Sequence, residues 1–348
     1  MLGAVVVRRV YFACKSCSTG GYPADQRLGI DGLLTTEARR LTSLAGVQRS
    51  FANASMLLKE FCGWQLSDET IRLWCHAEAD RVAEWREGVA PDMARTMAAN
   101  ERLEFQTDAT KVNTTTGWRD LKIGLFCRRA LGPSSSLTDW EQRSLPKPSN
   151  RIAFAAIEEI DTFGKRWIGW SERLGIGSFE TMSVIADGAE WIWNAATDCF
   201  PGHRGVLDIF HASEHLHATA EALHGEGSTA SNDWFETART ALLGDGWYGI
   251  QEVIGRTLSA ATLSDTGRDA IESLTRYLAN HSTRLNYRAR IACGEAIGSG
   301  QVEGACKQMI GKRMKQTGAR WTVANANRMA ELCSLSYSGQ WDSYWMAA

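Results

Sequence analysis

Three carboxylates in this 348-residue sequence lie where side chains can do chemistry. Asp108 and Asp187 each end an apolar, strand-like segment, and Glu303 lies in the first turn of a late helical segment. Hard cations such as Mg²⁺ take oxygen ligands from Asp and Glu. Two of these ions, about 3.5–4 Å apart, can activate an attacking oxygen and stabilise a leaving one. The three residues therefore predict a centre for two-metal phosphodiester cleavage, provided that the fold brings them together.

Each of these acids also has a purely structural interpretation. Asp187 could cap the helix that begins near Glu190, since aspartate is a favoured N-cap residue. Glu303 could favour the N-terminus of its own helix, and Asp108 could open a turn. A single acid in such a place is more often structural than functional. The occurrence of all three, in this order on strand, strand and helix, is what favours a catalytic site.

The elements that must position these acids have a recognisable order. Predicted strands cover residues 102–108, 118–129, 151–158, 182–187 and 206–210. Predicted helices cover residues 161–175 and begin again at Glu190. Three antiparallel-style strands followed by strand–helix–strand predict an α/β fold with an RNase H-like mixed sheet and flanking helices. If the first and fourth strands are neighbours, Asp108 and Asp187 meet at one sheet edge, where a packed helix can deliver Glu303.

The region before the predicted sheet, residues 35–100, is expected to be helical. One amphipathic helix ends at Gly63, and a second begins at Asp68 after a candidate N-cap, Ser67. This is the outline of a helix-turn-helix, which would make Arg72 of the second helix a candidate DNA contact. A bland pair of antiparallel helices has the same outline.

The strand-like residues 5–13 lead into Cys14 and Cys17, spaced as one half of a zinc knuckle. Zn²⁺ needs four thiolate or imidazole ligands, and no second pair is visible nearby. A partial zinc site and two free structural thiols therefore both stay open, and a redox role is the weakest interpretation.

The three acidic segments together resemble the acidic blocks of a known family. Residues 106–108 (Gln-Thr-Asp), 185–192 and 299–304 are similar to those of the ISKra-four family of bacterial insertion-sequence transposases, which is related to the Mutator-like group. The likeness covers most of the chain, from residues 11–17 to the last helix.

This resemblance implies an Asp-Asp-Glu transposase that uses Mg²⁺ or Mn²⁺ held by Asp108, Asp187 and Glu303. Such an enzyme cuts at the ends of its insertion sequence and joins the freed 3′-OH to target DNA. The implied partners are double-stranded DNA, as terminal inverted repeats and target, and further copies of the same chain. Family members usually carry the other half of the zinc knuckle upstream, so the resemblance also implies an N-terminally truncated chain.

A second motif of the Mutator-like group is matched by Asp208 and His211, for which the resemblance implies a supporting role near the metals. From the residues alone, Asp208 ends another strand at the same edge and could join the metal shell. His211 and His215 lie on one helical face and could bind Zn²⁺, which is the weaker alternative.

Residues 213–295 resemble the all-helical insertion of the Mutator-like group. Trp234, Trp247 and Tyr248 lie within this segment. They could stack on an unpaired base, although aromatic residues are more often part of a core.

Basic residues follow Glu303, and no acid interrupts them before Glu331. The run comprises Lys307, Lys312, Arg313, Lys315, Arg320 and Arg328. A run of one sign would attract DNA phosphates in a salt-sensitive way, whereas a solvated helix face is the usual alternative. All but Arg328 are candidate DNA contacts.

Composition sets the remaining bounds. The net charge is -2, so a DNA-binding face must come from local charge. Nine cysteines without framework spacing favour a reducing cytoplasm, and no apolar run is long enough to span a bilayer. The resemblance implies a bacterial protein that is associated with the nucleoid. The expected segments are residues 1–34 (partial zinc ribbon), 35–100 (DNA-binding), 101–212 (catalytic core), 213–295 (insertion) and 296–348 (last core helix and tail).

Two other functions stay open. A catalytically inactive, truncated chain could bind DNA as a repressor of an intact element. A host RNase H-like nuclease or resolvase would instead cut structured DNA without preference for the ends of an element.

Overall fold

The computed structural model describes residues 7–32, 34–89, 93, 96–260 and 263–348. The chain forms two compact units. The helical unit comprises Met1–Gly88, Val112–Arg119 and Lys307–Ala348, and the sheet unit comprises Val89–Lys111 and Asp120–Cys306. No helix in these described ranges is long and apolar enough to cross a membrane.

The chain begins with small hairpins and four helices, continues through the strands of a mixed sheet with two helices between them, and ends in helices. The strands are β1 (Phe12–Ala13), β2 (Gly20–Gly21), β3 (Ile30–Asp31), β4 (Leu34–Thr35), β5 (Glu101–Thr114), β6 (Gly117–Ala130), β7 (Asn150–Ala156), β8 (Ser183–Ala186) and β9 (Arg204–Leu207). The helices are α1 (Pro23–Leu28), α2 (Thr36–Gln48), α3 (Phe51–Cys62), α4 (Asp68–Gly88), α5 (Ile160–Arg173), α6 (Glu190–Cys199), α7 (Ile209–His224), α8 (Thr229–Ala260), α9 (Asp265–Asn280), α10 (Tyr287–Ala292), α11 (Gly300–Ala305), α12 (Lys312–Met314), α13 (Val323–Tyr337) and α14 (Trp341–Ala347). A π-helical turn, Cys306–Gly311, joins α11 to α12.

The sheet unit contains a five-stranded mixed sheet with the order β7-β6-β5-β8-β9. β5 and β6 form a hairpin, β6 pairs antiparallel with β7, and β8 lies parallel to both β5 and β9. The prediction that the first and fourth core strands, β5 and β8, are neighbours is confirmed. The predicted mixed α/β architecture with flanking helices is confirmed as well.

Helices cover both faces of this sheet. On one face, Phe105 and Val184 belong to a buried cluster that includes Trp167 of α5. On the other face, Ile185 and Leu207 belong to a cluster built by the helices from α7 to α10. A parallel strand covered on both faces is apolar at successive positions, which is why Val184, Ile185 and Ala186 of β8 are all apolar. The residues predicted as an insertion, 213–295, therefore belong to the same compact unit as the sheet.

The helical unit confirms the predicted helix, turn and capped helix as local structure. α3 ends at Gly63, whose φ of 71° is left-handed and favours glycine. The Ser67 hydroxyl then accepts a hydrogen bond of 3.0 Å from the backbone N–H of Thr70 in the first turn of α4. Leu58 of α3 and Ile71 of α4 are both buried. DNA contact by this pair of helices stays a prediction.

Four local expectations need correction. Of the predicted strand at 5–13, residues 5 and 6 lie outside the described residues, 7–11 have no regular structure, and only β1 is a strand. β5 continues past Asp108 to Thr114, because its hairpin turns only at residues 115 and 116. β9 ends at Leu207, and the following Asp208 is the N-cap of α7. The late helix contains a π-helical turn after Glu303 and ends at Met314, and residues 315–322 are not helical.

Candidate active site

Three aspartates lie at the same level across three adjacent parallel strands. The register pairs Gln106 of β5 with Ile185 of β8, so two residues further along Asp108 comes opposite Asp187. It also pairs Ala186 with Leu207, so Asp187 comes opposite Asp208. Neighbouring strands lie about 4.8 Å apart. The carboxyl edge of the parallel strands therefore gathers three carboxylates from segments that are distant in sequence.

Asp108 is half-buried, and its carboxylate lies in an acidic surrounding. Its Oδ1 accepts a hydrogen bond of 2.6 Å from the backbone N–H of Ala109. The Cys306 thiol donates to its Oδ2 at 3.5 Å. Burial raises the pKa of Asp108, and repulsion from Asp187 adds to this effect, while the hydrogen bonds and His211 oppose it. A cation bound beside both aspartates would relieve that repulsion.

Asp187 directly follows β8 and is held by local hydrogen bonds. Its Oδ1 accepts from the backbone N–H of Ala189 at 2.9 Å, and its carbonyl accepts from the Trp193 indole at 2.8 Å. Ala189, not Asp187, is the N-cap of α6. A Cβ atom on the next residue, Gly188, would lie 2.2 Å from the ring of Tyr277, so this position requires glycine.

The helix that carries Glu303 is anchored to β5 on either side of that residue. The backbone N–H of Val302 donates to Gln106 Oε1 at 3.1 Å. Cys306, which follows α11, contacts Asp108 as described above. Glu303 lies between these two anchor points and is half-buried. The helix thus brings Glu303 to the sheet edge that carries Asp108.

A buried polar relay fixes the Gln106 amide in one orientation. Gln106 Nε2 donates to Glu104 Oε2 at 3.1 Å, and Glu104 is also paired with Arg129. A carboxylate only accepts and a backbone N–H only donates. Glutamine can satisfy both partners at once, because its amide group carries one donor end and one acceptor end.

Replacing Gln106 by leucine should lower the free energy of unfolding by about 2 kcal/mol, because two buried hydrogen bonds are lost, one from the Val302 N–H and one to Glu104. The Val302 N–H keeps only its bond of 3.0 Å to the Ser299 carbonyl. Urea denaturation measures this effect. The matched control is Thr107→Val on the same strand, where one hydrogen bond to the Ile123 carbonyl is lost and about 1 kcal/mol is expected. Equal losses in the two variants would contradict a special role for Gln106.

Asp208 holds two helices together at the same edge. It is 0% exposed. Its Oδ1 accepts from the backbone N–H groups of Phe210 at 2.6 Å and His211 at 3.3 Å. Its Oδ2 accepts from both the backbone N–H and the hydroxyl of Ser299, the residue before α11. Because protein donors occupy both oxygens, Asp208 is a positioning residue for α7 and α11, and not an open metal ligand.

Histidines and a tyrosine from α7 and α9 pack beside Asp187. The rings of His215 and Tyr277 stack with centroids 3.9 Å apart, and Tyr277 meets His281 at 5.1 Å. His211 keeps 39% of its side chain exposed and lies 3.4 Å from a Glu214 oxygen. His211 and His215 thus pack against Glu214 and Tyr277, and zinc binding by the two histidines stays a prediction.

The pKa of His281 predicts a pH dependence of stability. Burial, together with the nearby Arg284, lowers this pKa from 6.5 to about 4. The unfolded chain therefore binds a proton between these values that the folded chain does not, and stability falls as pH drops from about 6.5 towards 4. His281→Gln removes this titrating group. The slope of the unfolding free energy against pH should therefore decrease in this variant by the equivalent of up to about one proton. Urea titrations at pH 7, 6 and 5 test it, and an unchanged slope would contradict it.

No three His, Cys, Asp or Glu side chains of the described residues are already arranged around one point as metal ligands. The register and the anchored α11 bring the backbones of Asp108, Asp187 and Glu303 to one edge of the sheet. Cys14 and Cys17 are exposed free thiols on the β1–β2 hairpin.

The predicted DNA-binding residues all lie in the helical unit. Lys307, Lys312, Lys315 and Arg320 are exposed, whereas Arg313 is buried. Arg72, Arg313 and Arg320 line one pocket. The sequence did not suggest this convergence.

The aromatic residues of the predicted insertion divide into two kinds. Trp234 and Trp247 pack against the buried cluster on the α7–α10 face, and the Trp234 indole donates to the Thr257 hydroxyl at 2.9 Å. Tyr248 is 79% exposed. The core interpretation therefore fits the two tryptophans, and only Tyr248 is open to a partner.

Sequence reasoning missed Gln106, Ser299, Cys306 and Tyr277. A polar residue inside an apolar strand was a usable signal for Gln106, because buried polar groups need partners. The other three carry no sequence signal, since their partners lie on distant segments.

The geometry defines a mixed α/β protein with acidic residues gathered at the carboxyl edge of its parallel strands. No family model matches the chain, and no curated protein matches it either. The acidic edge is the feature from which a function can be argued.

Proposed function

We propose that the protein is a Mg²⁺- or Mn²⁺-dependent transposase of the Asp-Asp-Glu type. The observation that carries this proposal is the register that sets Asp108 opposite Asp187, with α11 anchored beside them. Asp108, Asp187 and Glu303 are the proposed metal ligands. Oxygen ligands are the ones that these hard cations prefer. Burial raises the pKa of Asp108 and repulsion from Asp187 adds to it, and a bound cation would relieve that repulsion.

The strand order supports an RNase H-like core. The first core strand, β5, lies in the middle of the sheet, with β6 and β7 on one side and β8 and β9 on the other. The pairs β5–β6 and β6–β7 are antiparallel, whereas β5–β8 and β8–β9 are parallel. Ligands of open α/β sheets bind outside the carboxyl ends of parallel strands. The proposed metal ligands lie at that end.

The residues of the chain have distinct tasks in the proposed reaction. Bound divalent ions would polarise the attacking water or 3′-OH and stabilise the leaving oxygen. Gln106 keeps α11 against β5, and Asp208 ties the start of α7 to Ser299 just before α11. These contacts hold the backbone of α11, which carries Glu303, beside β5 and the start of α7.

Double-stranded DNA is the proposed substrate, as element ends and as target, and the active species is proposed to be a homo-oligomer on DNA. The exposed Lys307, Lys312 and Lys315 support contact with phosphates.

A plasmid nicking assay tests the proposal. A supercoiled plasmid that carries the DNA flanking the gene is incubated with the protein and millimolar Mg²⁺ or Mn²⁺. A parallel reaction with a chelator is the control. Cuts at defined positions in the flanking DNA, abolished by the chelator, are expected. Tight DNA binding without cleavage would replace the proposal with a repressor, and cleavage of structured DNA without end preference would replace it with a host nuclease or resolvase.

A further inference from the structure

The helical unit contains a pocket lined by basic and aromatic residues, and it shares no residue with the acidic site. Its volume is about 430 Å³, and it is lined by Phe51, Arg72, His76, Arg313, Arg320 and Trp321 among others. None of the described residues that line it is acidic. A pocket with three guanidinium groups and no lining carboxylate favours an anion.

Two buried donors at this pocket have no hydrogen-bond partner among the described residues: Arg313 Nη2 and His76 Nε2. His76 Nδ1 lies 3.4 Å from Arg72 Nη1, which can only donate, so the neutral ring carries its proton on Nε2. Buried donors without partners are rare in folded proteins. Two that line one pocket indicate a ligand that accepts hydrogen bonds.

The Arg313 guanidinium is held in a fixed position. It lies 4.4 Å from the Phe51 ring centre and 5.1 Å from that of Trp321. Its Nε donates to the Gly46 carbonyl, and the residue is 4% exposed. The planar fork of an arginine suits phosphate oxygens, and a fixed fork loses little freedom when it binds them.

We propose that this pocket binds one phosphate group of the DNA backbone, with Arg313 Nη2 and His76 Nε2 as hydrogen-bond donors and Arg72 as a second charge. The use of DNA as the source of the phosphate rests on the proposed function. Lys312 and Lys315 lie on the same segment as Arg313 and are exposed, which favours a polyanion over a single small anion. Arg320 shapes the pocket instead, since its Nε and Nη2 donate to the carbonyls of Thr114 and Thr115.

Salt-dependent DNA binding tests the role of each group. The affinity for a short, fluorescently labelled DNA duplex is measured by fluorescence anisotropy at several salt concentrations. A chelator is present so that no cleavage occurs. Arg72→Gln should reduce the slope of log affinity against log salt by about 0.9, because one phosphate contact is lost. Arg40→Gln is the matched control, since Arg40 pairs with Glu37 as Arg72 pairs with Glu69, three residues apart. The control should leave the slope unchanged.

His76→Phe separates a ligand role from a structural one. It keeps a ring beside Phe51 but removes the neutral donor, so affinity should fall about tenfold with the salt slope unchanged. The same fall is expected for random and for element-end duplexes, because a phosphate contact carries no sequence information. If the orphan donor were only a packing compromise, His76→Phe would leave DNA affinity unchanged, and that result overturns the proposal.

A second probe separates this proposal from the proposed function. Inorganic phosphate is titrated against the protein without DNA, and binding is followed by the shift of the melting temperature in wild type and His76→Phe. Phosphate binding that His76→Phe abolishes supports the pocket even if the plasmid assay shows no cleavage. Binding of phosphate without any duplex binding overturns DNA as its source. Asp187-dependent cleavage with normal duplex binding in His76→Phe overturns the pocket and leaves the transposase proposal standing.

Discussion

Asp187→Asn is expected to reduce metal-dependent DNA cleavage by about a thousandfold. The metals of a two-metal centre supply several kcal/mol of charge stabilisation, and about 4 kcal/mol corresponds to this factor. Asparagine keeps the shape of the side chain and can still accept from Ala189 N–H, as Asp187 Oδ1 does at 2.9 Å. The loss should therefore come from charge alone and appear in the nicking rate at saturating DNA.

The control for this variant is Asp198→Asn. Asp198 is an exposed acid on α6, the helix that follows Asp187. The Asp198→Asn variant should cleave DNA at the wild-type rate. Asp187→Asn should also remove its repulsion of Asp108, which adds to burial in raising the Asp108 pKa, so the free energy of unfolding of this variant should equal or exceed that of wild type. Loss of stability together with loss of cleavage would instead indicate a structural role for Asp187.

Asp208→Ala is expected to lower the free energy of unfolding by about 3 kcal/mol. Loss of the N-cap of α7 accounts for about 1 kcal/mol. The rest comes from the buried Ser299 N–H and hydroxyl, which lose their shared acceptor and cost about 1–3 kcal/mol when left without a partner. Urea denaturation of the intact chain measures this difference.

Ser264→Ala provides the comparison, because Ser264 caps α9 by accepting from Gly267 N–H at 3.1 Å without a second buried partner in the described structure. Its loss should cost only about 1 kcal/mol. If both variants lost the same stability, the link from Asp208 to Ser299 would contribute nothing. Asp208→Ala should also slow cleavage, since α11 then loses one of its anchors.

Local sequence patterns predicted much of the fold. The apolar run of β8 and the amphipathic pattern of α5 each reflect which faces of one element are buried, and near neighbours set that pattern. The Gly63 helix end and the Ser67 cap follow from the backbone conformations that these residue types favour. The order of strands and helices followed from these elements together.

The same patterns failed where a partner on another segment decides the structure. The strand containing Asp108 was expected to end there, but β5 runs on to Thr114. Asp208 was assigned to a strand, but its carboxylate caps α7. The basic run after Glu303 was treated as one helix, although a π-helical turn interrupts it and Arg313 is buried.

The sequence by itself determined where most of the strands and helices lie, and that acids lie in or directly after two of the strands. Only the tertiary structure decided the register that aligns Asp108 with Asp187, the contact between Gln106 and Val302 at a separation of 196 residues, and the pocket around Arg313. The physical reason is that periodicity and capping depend on neighbours within a few residues. Strand register and the pairing of buried polar groups depend instead on contacts that exist only after distant segments have packed.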